Sequence, residues 1–192
     1  MGFKNFCEQT SKKLVIVDIQ PAYSKAIYFM EEFAQFVPQY DQILNLYVGE
    51  LSGDTKQTIA KFYYQNRVPK EIIYKMRWFD KGYAFFRDMM DARMCYMRDD
   101  IVRLVRFMIR KKVNDSRELT QLQVAKLKIP DYTYDKLEDY YMGIPNIRWI
   151  LPKWNGCDIC GGGLNECLEE VLILADALKL QYNVVNQFVY GQ

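Results

Sequence analysis

The hydrophobic pattern along the chain alternates between short apolar runs and helical periodicities. Residues 12–18 read Lys-Lys-Leu-Val-Ile-Val-Asp, an uninterrupted and mostly β-branched apolar run ending in a carboxylate. Such a run fits a strand buried on both faces, as in a parallel sheet covered by helices. After Pro21, the residues Ile27, Met30, Ala34 and Val37 recur at helical spacing, and Pro38 ends that helix. Residues 42–48 read as a second strand closed by Gly49, and Asp54 can cap a helix running to about Asn66. Pro69 marks a turn, and 71–78 reads as a third strand. Helices are expected over 83–94 and 99–112, the second with an apolar stripe of Ile101, Leu104, Val105 and Met108. Residues 113–146 read as an insertion or lid with short helical stretches at 119–129 and 134–142. Strands follow near 147–151 and 157–160, then Gly161-Gly162-Gly163. A helix over 165–180 turns Leu168, Val171, Leu172, Ala175 and Leu178 inward, and 183–190 supplies a last strand.

This alternation predicts an α/β fold: three layers, with a mostly parallel central sheet and helices on both faces. The length of 192 residues fits one domain. In such sheets ligands bind beyond the carboxyl ends of the strands, where Asp18, Glu50, Lys75 and the loop before Cys167 are expected.

Charge narrows the choice of partners. Lys plus Arg number 26 against 24 Asp plus Glu, a net charge of +2, which gives no electrostatic reason for nucleic acid or an anionic membrane as partner. The cluster of Arg103, Arg106, Arg110, Lys111 and Lys112 reads as a solvated helix face. No apolar run is long enough to span a bilayer, and the first residues lack a signal-peptide core. An odd count of five cysteines without framework spacing points to a reducing, cytoplasmic setting. Histidine is absent, which excludes Ser-His-Asp and Cys-His chemistry and removes the commonest metal ligand. No cofactor or metal is expected.

Several residues can carry chemistry, each with a plainer structural reading beside it. Asp18 at a strand end is either a helix cap or a partly desolvated general base. Cys167 follows a triple glycine and opens a helix, where free N–H groups and the helix dipole favour a thiolate; otherwise it is a buried structural cysteine. Lys75 sits in the apolar run 72–76, so it either faces a carboxylate or points outward from an edge strand. Cys157 and Cys160 have CxxC spacing, but without a second pair or a histidine they read as small apolar strand residues.

Taken together, these sites resemble the isochorismatase-like cysteine hydrolases. Val15-Ile16-Val17-Asp18-Ile19-Gln20 followed by Tyr23 resembles the family's first strand. Lys75-Met76-Arg77-Trp78, then Tyr83-Ala84-Phe85-Phe86-Arg87, resembles its Lys-Trp-Arg-Tyr-Ser-Ala-Phe segment with residues inserted. Gly161 to Glu169 is similar in spacing to its Gly-Val-x-Thr-x-x-Cys-Val signature. The resemblance covers 12–112 and 147–190.

The resemblance implies a hydrolase acting on a small-molecule amide or related C–N bond, and homo-oligomers. Asp18 would take the Cys167 proton, Lys75 would support the pair, and the loop at Gly162 and Gly163 would hold the oxyanion, with a cis peptide between those glycines. Pocket side chains are expected from Gln20, Tyr23, Glu50, Trp78 and Phe85. The sequence departs from the family in three ways: Leu164 replaces the signature threonine, Glu166 adds a charge near the thiol, and the stretch from Lys75 to Phe85 is long. That last departure makes Lys81 a rival for the lysine role. A catalytically silent relative that binds a metabolite or partner protein is the alternative.

Overall fold

The computed structural model describes residues 11–49, 52–82, 97–128 and 146–190. Its centre is a five-stranded, wholly parallel sheet of order β3-β2-β1-β4-β5. The strands are β1 (Lys13–Val17), β2 (Gln42–Tyr47), β3 (Arg77–Asp80), β4 (Cys157–Gly161) and β5 (Tyr182–Val184). The helices are α1 (Met30–Phe36), α2 (Lys56–Gln65), α3 (Lys70–Lys75), α4 (Arg98–Lys111), α5 (Gln121–Leu127) and α6 (Cys167–Ala177).

Alternation along β1 divides the core into two layers, because successive strand side chains point to opposite faces. Leu14 and Ile16 join Ile43, Phe33, Ile59 and Tyr63 beneath α1, α2 and α3. Val15 and Val17 join Leu44, Leu46 and the apolar faces of α4, α5 and α6. Every interior position of β1 is buried, which is why its sequence shows no polar alternation. Nearly every residue of α6 is buried as well, so any charge that it carries must find a partner inside.

Three expected elements take a different form. Residues 70–75 are helical, and the third strand begins only at Arg77. Pro69 stands at the N-cap, Glu71 and Lys75 complement the helix dipole at the two ends, and Ile72 and Met76 share an inward face at i,i+4 spacing. A short apolar run of this kind fits either period. The strand expected at 147–151 is instead a pair of 3-10 turns, Asn146–Trp149 and Leu151–Trp154, the second with Pro152 in its first turn. The last strand stops at Val184; a 3-10 turn, Asn186–Phe188, then leads to Tyr190, which makes a single parallel bridge to Gly163. The N-cap of α2 is Thr55, in a reciprocal capping box with Thr58, rather than Asp54. The helices expected at 83–94 and 134–142 lie outside the described residues, as do residues 129–145 of the 113–146 segment.

Candidate active site

Three stretches of chain meet at the carboxyl edge of the sheet: the turn after β1, the end of β3, and the loop from β4 into α6. Asp18 ends β1 in the left-handed region, at φ 49, a conformation that Asp tolerates better than most residues but that still costs about 1–3 kcal/mol. Its backbone is pinned from both sides, N–H donating to the Leu46 carbonyl at 2.9 Å and carbonyl accepting from the Tyr190 hydroxyl at 2.8 Å. The glycines of the loop are needed by space as well as by φ. A Cβ on Gly161 would lie 2.2 Å from the Val17 carbonyl oxygen, and one on Gly162 would lie 2.7 Å from the Leu168 nitrogen.

The Lys81 side chain is fully buried and bridges two carboxylates. Its Nζ donates to Glu170 Oε2 at 3.0 Å and lies 3.2 Å from Asp18 Oδ2. The Cys167 thiol lies near enough to Asp18 and Tyr23 to couple electrostatically with each, without a directed hydrogen bond to either Asp18 oxygen. Neither Asp18 oxygen has a well-directed donor, and Glu170 Oε1 has none either. The Lys81 contact at Asp18 is close but lacks hydrogen-bond alignment.

The electrostatics follow from burial and from two carboxylates around one ammonium. Burial raises the Asp18 pKa, with Lys81 and Cys167 opposing. Glu170 is pushed up to about 7 by burial, partly offset by Lys81 and reinforced by Asp18. Burial alone would lower Lys81, but Glu170 and Asp18 outweigh it and hold the ammonium protonated. The Cys167 thiol is raised first by burial and then by Asp18, while Lys81 pulls the other way. Cys157 and Cys160 are raised by burial too, Cys157 to about 12. The resting thiol is therefore neutral and needs a base. The N–H groups of Gly163 and Cys167 make no hydrogen bond among the described residues, leaving both able to receive an oxyanion. The Gly162–Gly163 peptide, for which the resemblance implies a cis bond, is trans.

The other expected site residues are dispersed. Lys75 is exposed at the end of α3, and its Nζ donates to the Tyr40 carbonyl at 3.1 Å. Tyr40 precedes β2, so Lys75 stands at the amino edge, opposite Cys167; Lys81 is the lysine beside Asp18. The reason is local: with 70–75 helical, β3 starts later and delivers residue 81, rather than 75, to the carboxyl edge. Tyr23 stays near the thiol, its ring 6.2 Å from that of Tyr190. Gln20 is buried but bound to Val48, Ser52 and Asp54, and Trp78 packs against Tyr47 of β2 and Tyr63 of α2. Glu50 and Phe85 lie outside the described residues. Glu170 was not anticipated. Its signal was a charge one turn beyond Cys167 in a helix whose other residues, Glu169 and Asp176 apart, are apolar. Tyr190 gave no such signal.

A polar cavity of about 180 Å³ opens beside the loop, lined by Lys25, Gly163, Leu164, Asn165, Glu166 and Tyr190. Among the described residues no group of three or more acidic, cysteine or histidine side chains could hold a metal ion. No described helix is long and apolar enough to cross a membrane. Comparison with known protein families, characterised proteins and solved structures finds no match to this chain.

Proposed function

We propose that this protein is an isochorismatase-like hydrolase that cleaves a small-molecule amide or related C–N bond through Cys167. One observation carries the reading: Asp18, Lys81 and Cys167 converge, buried, at the carboxyl edge of a parallel sheet. They also occur in the chain order Asp, Lys, Cys that the resemblance implies.

In this mechanism the Cys167 sulfur attacks the carbonyl carbon as its proton passes to Asp18, whose raised pKa makes it a better base. Lys81 supports the negative charge that develops on sulfur, and the N–H groups of Gly163 and Cys167 receive the oxyanion. The C–N bond breaks, the amine leaves with the proton held by Asp18, and a thioester remains on Cys167. Water, giving its proton to Asp18, then releases the acid and restores the thiol.

A specific observation favours the second reading, a catalytically silent protein that binds a metabolite or partner. A Cβ on Gly163 would lie 2.6 Å from Glu166 Oε2, so a carboxylate leans on the oxyanion loop. Intact-mass spectrometry after incubation with p-nitrophenyl acetate, with ammonia release from a panel of small primary amides, separates the two. The hydrolase reading requires an acyl adduct that Cys167→Ser removes, and ammonia from at least one amide. A folded protein giving neither leaves the silent reading in its place.

A further inference from the structure

The three-residue chemistry above has no use for Glu170, yet no side chain in the cluster is more deeply buried. It lies one turn beyond Cys167 on α6, so the two project toward the same edge of the sheet. Lys81 is better directed toward Glu170, at 3.0 Å with hydrogen-bond geometry, than toward Asp18, at 3.2 Å without it. Two carboxylates thus divide one ammonium in a place shielded from solvent. The charged and titratable groups around Glu170 are Asp18 from the turn after β1, Lys81 and the more distant Asp80 from the end of β3, and Cys167 from its own helix. Tyr23 and Tyr190 are coupled to Asp18 and Cys167. Of the cations that α4 brings against α6, Arg98 is bound to Glu169 and Asp176 and Arg106 to the Asp176 and Ala177 carbonyls, which leaves Glu170 to Lys81.

We infer that Glu170 is a positioning residue that anchors Lys81 beside Asp18 and Cys167, and that its charge sets how readily the Cys167 thiol gives up its proton. The inference rests on Cys167 being the reactive thiol. Ionised Glu170 draws on the Lys81 charge and adds its own repulsion to a thiolate, while neutral Glu170 leaves that charge to Asp18 and Cys167. Burial pushes Glu170 up to about 7, so the change occurs near neutrality. Across that interval the thiolate fraction climbs less steeply with pH than for an isolated thiol, because each step that deprotonates Glu170 also makes the thiol harder to deprotonate.

The test is the rate of Cys167 alkylation by iodoacetamide, read by mass spectrometry on the full chain from about pH 6 to 9, where coupled groups of this kind separate. Wild type should show a slope of log rate against pH below one. Glu170→Gln keeps a carbonyl acceptor for Lys81 but removes the charge; it should restore unit slope and raise the rate about tenfold, the change expected of a one-unit fall in thiol pKa. Glu170→Ala removes the anchor as well and should react more slowly than Glu170→Gln. A unit slope in wild type, or a Glu170→Gln profile that overlays it, overturns the inference, and the wild-type profile suffices should the variants fail to fold. Alkylation needs no substrate, so a thiol that responds to Glu170→Gln yet never acylates sinks the hydrolase reading alone. One that acylates but ignores Glu170→Gln sinks this inference alone.

Discussion

Two buried polar clusters sit close together at the carboxyl edge, and they are built on opposite principles. Around Gln20 everything is neutral or matched: Nε2 donates to the Val48 carbonyl at 3.1 Å, with Ser52 Oγ at 2.9 Å and Asp54 Oδ2 at 3.0 Å, while Oε1 accepts from the Val48 N–H at 3.1 Å. Around Lys81 one ammonium serves two carboxylates, and three of their four oxygens lack a directed donor. Buried polar groups are ordinarily satisfied. The first cluster fastens the loop after β2, whereas the second holds unspent acceptor capacity beside a thiol. A cluster of charges with open valences is what chemistry needs and what stability alone would not select.

The largest expected effect tests whether the second cluster works by proton transfer or by charge alone. Asp18→Asn should cut acyl transfer to Cys167 by about 10²–10⁴-fold, the usual contribution of a general base. The same change should speed simple alkylation, because the Asp18 charge holds the thiol pKa up. If both rates fall together, Asp18 is a packing element and the contrast with Gln20 collapses.

Next in size is the stability carried by the lysine. Lys81→Met leaves Asp18 and Glu170 buried without a cation and should cost about 3–5 kcal/mol in urea unfolding. Lys75→Met, at the exposed end of α3, should stay within about 0.5 kcal/mol. Gln20→Ala should lose about 1–3 kcal/mol by stranding buried partners, with the Cys167 alkylation rate unchanged. A changed rate there would mean that the two clusters are one.

The smallest effect is on stability against pH. Glu170 is raised from 4.5 to about 7, so the folded state holds its proton more tightly than the unfolded chain does. Its contribution is complete below its unfolded pKa and is lost as pH rises through about 7. Glu170→Gln lacks this loss. Its Tm relative to wild type should climb by a few degrees from about pH 5 to 8, about 2–4 °C per kcal/mol for a chain of this size. A gap that stays flat across that range would show Glu170 to be ionised throughout and held by Lys81.

How much of this was legible in the sequence depended on whether a residue's setting was local. Asp18 at a strand end and Cys167 at a helix start could be placed from their neighbours, since an apolar run and a triple glycine are written in contiguous letters. The buried parallel strands were legible for the same reason: Leu14 to Val17 show no alternation because both faces are covered. Lys81 was harder. It lies in the polar stretch Asp80-Lys81-Gly82, and it is buried where its ammonium meets Asp18 after β1 and Glu170 of α6. The error at Lys75 came from a run that fits a strand or a short helix equally, and the few residues separating those choices decide which lysine reaches the carboxyl edge. Glu170 was visible as an oddity but had no assignable partner until Lys81 was in place.

The Tyr190 hydroxyl reaches the Asp18 carbonyl across 172 positions of sequence, its backbone bridges the glycine loop, and its ring stacks on Phe29 at 5.6 Å. During synthesis, Asp18, Lys81 and Cys167 all emerge before the residue that clamps them. Until Tyr190 is made, the thiol lacks its finished surroundings. A ribosome stalled between residues 167 and 190 would hold a chain with all three chemical groups present and the Tyr190 clamp still missing.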